Sequence, residues 1–335
     1  MKYSFTTFSD KSPSEMGELI DGDVAIVAAS WENRSKAAIS VLEHLKLSRL
    51  IVIRFKNQGK TGVSGNIRHQ YKDFCRKRKI EYREIMFDSV SDDYSALVHI
   101  SKTVDAALGA AKRVILDVTS TPRLLWCSLV ALWDKKNFVR RITFLYARPN
   151  YSFKETPDRK LVFDYTDGDW QLVEPAFFPP IFKGGLSKTN FISIGYEYDQ
   201  IKRFLYSFET DNNIFVYSSP GFRKEYTTLA ADTVAKIKNV FEVPETKFMP
   251  FAVQDFVGLE RALSERISNL CDIPGSSVLL VCAGSKIHSL AFLFCALENP
   301  AIGLRIRVPR RYNEVSTEWT AGIEAIVAEN IFSPL

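Results

Sequence analysis

The sequence predicts an α/β protein of two Rossmann-like halves, each a doubly wound parallel sheet, joined by a connector that carries a β-hairpin. Three observations lead there. Short apolar runs alternate with amphipathic stretches, small polar loops follow the strongest runs, and the pattern appears twice along the chain. At 335 residues the chain also exceeds the roughly 250–300 residues at which single cores stop growing, so two cores are expected. The boundaries read as 1–149 for the first Rossmann domain, 150–212 for the connector and 213–335 for the second domain.

The first ~20 residues read as a lead-in without a strong period. Asp23–Ala29 (DVAIVAA) is then a continuous apolar run of the buried-strand kind, followed by the loop Ser30–Ser35 and the helical pattern KAAISVLEHL. RLIVIRF is the next strand, KNQGKTGVSGN a glycine-rich loop and IRHQYKDFCRKRK a basic helix. EYREIMF is a strand, a helix is expected over about 94–111, and RVILD (Arg113–Asp117) is the strongest strand of this half. The loop Val118–Arg123 leads to the apolar helix LLWCSLVALW, and RRITFLYA closes the half.

Between Arg148 and about Asn212 the alternation stops. KLVFDYTDGDW suggests a hairpin turning at Asp167-Gly168, and EPAFFPPIF is proline-rich. A helix at EYDQIKRFLYSF precedes the strand NIFVYSS, the loop PGFRKEYTT and the helix LAADTVAKIKNVF. ETKFMPFAV, FVGLERALSERISNLC, SSVLLVC, IHSLAFLFCALE and GLRIRVP continue as strand, helix, strand, helix and strand. Laid side by side, RVILDVTSTPRLLWCSLVALW and SVLLVCAGSKIHSLAFLFCAL share one pattern of apolar strand, small polar loop with a cation, and apolar helix, the mark of an internal duplication.

Composition bounds the function. With 46% hydrophobic and 25% charged residues the chain is ordinary globular material, and the net charge of +5 suits anionic ligands without reaching the basic excess of a duplex-binding domain. Five cysteines, odd in number and without a CxxC pair, read as reduced, buried small hydrophobes. The four histidines are scattered, so no metal site or cofactor is expected. No signal-peptide core or membrane-length apolar run stands out, and the cytoplasm is the expected compartment.

In an open parallel sheet ligands bind beyond the carboxyl ends of the strands, where helix N-termini offer backbone N–H groups to phosphate. Ser30, Asn33 and Arg34 lie in the first such loop. Thr119, Ser120 and Thr121 supply three consecutive hydroxyls ahead of Arg123, which can fork onto a phosphate. The same residues would also serve as an ordinary helix cap with a solvated arginine. Gly284, Ser285 and Lys286 form the comparable loop of the second half, and Arg223 and the Arg311-Tyr312 pair add cations beside aromatics, suited to phosphate contact with base stacking.

Asp117 either shapes its loop or acts as acid, base or metal ligand; His288 and Lys286 are the other catalytic candidates. KTGVSGN lacks the order of a P-loop, and no GxGxxG, GxSxG or HExxH is present. The basic helix with Arg68, His69, Lys72, Arg76, Lys77, Arg78 and Lys79 reads as a solvated face or a contact for a polyanion or partner.

The Ser30–Ser35 loop and RVILDVTSTPR resemble the CRISPR-associated Rossmann-fold (CARF-like) sensor domains, in which a strand ending in Asp precedes a Thr-Gly-Gly-Thr-Lys type loop. Here Ser120-Thr121-Pro122-Arg123 stands in place of the glycines and lysine. The likeness covers roughly residues 21–149 and, more loosely, 213–313. It implies binding of a cyclic oligoadenylate-like messenger by Ser30, Asn33, Thr119, Ser120, Thr121 and Arg123, within prokaryotic antiviral defence. No HEPN-type Arg-x₄-His, nuclease core or winged helix follows, so the effector would be a separate polypeptide. A nucleotide-degrading enzyme and a protein-binding adaptor, possible as a homodimer, stand as alternatives. Nucleic acid is a weaker candidate partner, and no membrane partner is expected.

Overall fold

The alternation of apolar runs and amphipathic stretches resolves into two sheets. A computed structural model of the chain describes residues 2–30, 32–55, 62–87, 94–151, 154–155, 161–162, 166–178, 187–207, 212–299, 301–312 and 317–330. The chain divides into two compact units, one formed by Met1–Ser152 with Glu314–Leu335 and the other by Phe153–Asn313.

The first unit opens with β1 (Tyr3–Lys11) and α1 (Pro13–Leu19). A capping box starts α1: the Ser12 hydroxyl accepts from the Glu15 N–H while the Glu15 carboxylate accepts from the Ser12 N–H, and Pro13 follows with its backbone angle already helical. Then come β2 (Val24–Ala29), a 3₁₀ turn at Asn33–Lys36, α2 (Ala37–Leu42), β3 (Arg49–Phe55), α3 (Gly62–Arg78), β4 (Glu81–Phe87), α4 (Tyr94–Leu108), β5 (Arg113–Asp117), α5 (Arg123–Lys136) and β6 (Arg141–Tyr151). Every residue of β2 is buried, as a strand covered by helices on both faces requires.

The second unit contains a short ladder of β7 (Lys154–Glu155) with β8 (Leu161–Val162), then β9 (Thr166–Val173), β10 (Ser187–Ile194), α6 (Tyr198–Ser207), β11 (Asn212–Ser218), α7 (Lys224–Phe241), β12 (Phe248–Phe251), α8 (Phe256–Cys271), β13 (Ser276–Cys282), α9 (Lys286–Glu298) and β14 (Ile302–Tyr312). β15 (Thr317–Asn330) returns to the first unit.

The first sheet runs β1-β15-β6-β5-β2-β3-β4, and the second β12-β11-β10-β13-β14-β9. Neighbours among β2 to β6 and among β10 to β14 are parallel. Each sheet therefore contains the same doubly wound order, with its first strand beside its fourth, and the fold class read from the sequence is the one observed. Antiparallel strands extend both sheets past their fifth parallel strand: β15 and β1 in the first, β9 in the second.

Four readings of the sequence need correction. The lead-in is a strand, because β1 pairs with β15 from Tyr3↔Asn330 to Lys11↔Ile323. The stretch 150–212 is not a connector between domains: β9 and β10 are integral to the second sheet, and β10 is its central first strand. Asp167-Gly168 is not a hairpin turn but lies inside β9, opposite an irregularity between Pro309 and Arg311 of β14. The second domain does not run to 335, since β15 crosses back and buries Ile323, Ala325 and Val327 in the first unit's core with Val27, Val52, Ile115 and Tyr71. The core of the second unit gathers Ile192, Ile194, Phe215, Val234, Ile237, Phe248 and Val281.

Candidate functional site

Strand reversal beside the first strand of a doubly wound sheet opens a crevice at its carboxyl end. In the first unit this point lies between the loop after β2 and the loop after β5. Loop 118–122 is shaped by its own side chains. One oxygen of Asp117 accepts from the Thr119 N–H at 2.9 Å, and the Thr121 hydroxyl donates to the Asp117 carbonyl at 2.6 Å. The Thr119 hydroxyl in turn accepts from the Ala147 N–H at 2.9 Å, fastening the loop to β6. Asp117 thus has the loop-shaping contact that was one of its two readings. These donors and acceptors are buried, where an unmet hydrogen bond costs about 1–3 kcal/mol, so the loop geometry is strongly specified.

The loop after β2 meets it directly. Ser35 and Ser120 share a hydroxyl–hydroxyl hydrogen bond of 2.7 Å between the two loops, and the Ser35 carbonyl accepts from the Tyr71 hydroxyl of α3 at 2.6 Å. Burial, reinforced by the negative charge of Asp117, holds the Tyr71 phenol well above its usual range, so it stays a neutral donor. The Ser30 hydroxyl accepts from the Glu32 N–H at 3.3 Å. Arg34 is 2% exposed and bound to Glu32, itself 5% exposed, at 2.5 Å. Its guanidinium lies over the rings of Tyr146 and Tyr151, at 5.7 and 5.6 Å from their centres. Sequence reading offered Arg34 as a phosphate contact; in this structure it ties its own loop to β6.

Arg123 is different in position. It is the first residue of α5 and half-buried, and Pro122, the N-cap of that helix, makes no side-chain capping bond. The backbone donors of the first turn and the arginine therefore share one end of the crevice, beside buried hydroxyl loops.

The second unit builds the equivalent place another way. The Ser193 hydroxyl, on β10, accepts from the Ala283 and Gly284 N–H groups at 3.1 and 3.0 Å. A Cβ on Gly284 would stand 2.7 Å from the Ile194 carbonyl oxygen, so only glycine lets the loop lie against the strand. Ser285 caps α9, its hydroxyl accepting from the His288 N–H at 3.0 Å. Lys286 opens α9 as Arg123 opens α5. His288 is wholly buried, and burial lowers its pKa to about 4 against the raising influence of the Ala252 backbone and Asp255. Neutral and enclosed at physiological pH, it is a packed core residue here. Arg223 is exposed, 3.4 Å from Glu225 and over the Tyr226 ring. The side chains of Asn33, Arg311 and Tyr312 lie outside the described residues.

Several contributors escaped sequence reading. Glu32 stood inside a quoted loop without a role, and Ser193 was hidden in the connector, although a hydroxyl inside the apolar run FISI is the signal that would have found it. Glu197, three positions beyond β10 as Glu32 is three beyond β2, pairs with Arg307 of β14 at 2.9 Å. No group of His, Cys, Asp and Glu able to hold a metal occurs among the described residues. The five cysteines are free thiols, four of them buried. No helix among the described residues is long and apolar enough to cross a membrane.

No family model and no curated protein matches the chain. Among solved structures it is similar to a short chain dehydrogenase from Salmonella enterica serovar Typhi, at 8% identity and a TM-score of 0.27, with 82% of this chain and 83% of that one covered. A protein of unknown function from Pseudomonas aeruginosa PAO1 aligns at 7% identity and a TM-score of 0.25, over 89% and 95% of the two chains. Both superpositions are too loose to carry a function across.

Proposed function

We propose that the first unit binds a phosphate-bearing nucleotide at the crevice between the loops after β2 and β5, and that the chain is a sensor working with a separate effector. The observation that carries this reading is the start of α5. It stands at the switch point of the sheet, its N-cap Pro122 makes no side-chain capping bond, and Arg123 is the first residue of its first turn. The resemblance of RVILDVTSTPR to the CARF-like sensors extends the reading to a cyclic oligonucleotide in prokaryotic antiviral defence.

Binding without turnover is the better-supported form. One oxygen of Asp117 serves its own loop and His288 is enclosed and neutral, which favours binding over acid–base chemistry by these two residues. Isothermal titration of the full chain with cyclic and linear oligoadenylates, dinucleotides and mononucleotides tests the reading. At least one ligand binds, Arg123→Ala weakens it about tenfold or more, and mass spectrometry recovers it intact. Failure of the whole panel to bind, or equal affinity in Arg123→Ala, overturns the reading.

A further inference from the structure

The basic end of α3 takes no part in the crevice. Its last turn holds Arg76, Lys77 and Arg78, and Lys79 follows, whereas α5 closes with two lysines and α7 with one. Cations near a helix C-terminus answer its partial negative charge and can bond its last carbonyls. Here the turn's own N–H groups reach two of those carbonyls: Lys79 bonds to Arg76 at 3.5 Å and Ile80 to Cys75 at 2.9 Å. Lys79 takes a φ of 56° in that turn, so a lysine stands where glycine would fold more easily.

What these cations are bonded to separates them. Arg76 lies 3.1 Å from Asp73, and Arg49 and Arg83 share Glu81. Arg78 donates to the Leu45 carbonyl at 2.9 Å, which brings it beside Lys46, just past the end of α2, and leaves its charge unneutralised. Among the described residues Lys46, Lys77, Arg78 and Lys79 have no carboxylate partner, and all four are exposed. Of the carboxylates on the adjoining segments 43–49 and 72–83, Asp73 and Glu81 are held by arginines and Glu43 stands alone against the four. Lys46 precedes β3 and Lys79 precedes β4, so the patch lies at the amino ends of the strands, the opposite end of the sheet from the crevice.

We propose that this patch is a docking surface for the phosphate backbone of a nucleic acid duplex, without sequence preference. Charge complementarity names the partner's chemistry: unneutralised cations on two adjoining segments match a regular row of phosphates. The surroundings separate a duplex from other anionic partners. No apolar residue of 43–49 or 72–83 is exposed, whereas a protein interface builds its core from apolar and aromatic side chains. A single strand stacks its bases on aromatic platforms, and Tyr82 is half-buried beneath Lys72 with its hydroxyl bonded to Glu84. The contact is local, in keeping with a net charge of only +5, and is independent of any nucleotide at α5.

The test is fluorescence anisotropy of the full chain with a short labelled DNA duplex of mixed sequence. Four phosphate contacts give a slope of about −3.6 in log K against log salt, a loss of about a hundredfold between about 50 and 200 mM. Lys77→Glu with Lys79→Glu weakens binding about tenfold or more, and Lys77→Gln with Lys79→Gln lowers the slope by about two. The same charge reversal at Lys102 and Lys135, exposed lysines of α4 and α5, leaves the duplex bound as before, and circular dichroism shows every variant folded. No binding at about 50 mM salt, equal losses in the two charge-reversed chains, or tighter binding of a polyglutamate peptide than of the duplex each overturns the proposal.

Discussion

The two units answer one topological question in two ways. Behind its fourth strand, the first uses many side chains: Asp117, Thr119, Thr121 and the Ser35–Ser120 pair fix the loop, and the N-cap of the helix is Pro122, which makes no side-chain capping bond. The second uses fewer hydroxyls and a glycine: Ser193 takes two loop amides, Gly284 lies against Ile194, and Ser285 caps the helix start. A hydroxyl that caps its own helix has given its acceptor capacity to the protein. The comparison teaches that Ser and Thr beside a helix start do not identify a ligand loop; what those hydroxyls are bonded to does.

The largest test concerns the ion pair each unit places by its first strand. Glu32–Arg34 is almost fully buried, whereas the side chains of Arg307 and Glu197 are 7% and 14% exposed. Removing one partner strands a charge, so Glu32→Ala is expected to cost about 3–5 kcal/mol in chemical denaturation. Glu197→Ala is expected to cost less, because this pair is less completely enclosed than Glu32–Arg34. Equal losses would erase the distinction drawn between the two loops.

A smaller effect falls on the second unit. Gly284→Ala drives a methyl group against the Ile194 backbone and is expected to cost about 1–3 kcal/mol, read from the same denaturation curves. A neutral Gly284→Ala would show that the loop can lift from β10.

The smallest is the response to acid, which has opposite signs in the two units. Glu84 is held down to about 2: bonds from Arg68, Arg54 and Tyr82 outweigh its partial burial. Its folded pKa is below the unfolded value of about 4.3, so its contribution is present above that value and lost as pH falls toward 2. Glu260, buried against α9, is shifted upward mainly by burial, with the Ser264 hydroxyl opposing. Its penalty is absent in acid and grows as pH rises through the unfolded value. Glu84→Gln should therefore flatten the acid limb of a stability–pH profile, and Glu260→Gln should raise stability at neutral pH. Matching slopes for the two variants would contradict these environments.

The buried parallel strands were legible because each is a short apolar run with turn residues at its ends: RLIVIRF, RVILD and SSVLLVC are strands from first to last residue. β1, β10 and β15 were not. Thr- and Ser-rich YSFTTFSDK acquires its meaning from β15, more than 300 positions away, and SKTNFISI sits behind a proline-rich stretch that looked like a boundary. In the site, the loops were found by position and the cations by type. Which hydroxyls were already bonded could not be read locally, because the partners Ala147, Ser193 and Tyr71 arrive from other strands and helices.

The return of β15 also sets an order of events during synthesis. When residues 1–152 have left the ribosome, β6 and β1 exist but the strand that stands between them does not, and all of 153–313 must be translated first. Until then β1 has no neighbour in its sheet, and β6 lacks one side. The second unit, contiguous in sequence, is fully synthesised before the last strand of the first, so the first sheet can close only after the second unit's chain is complete.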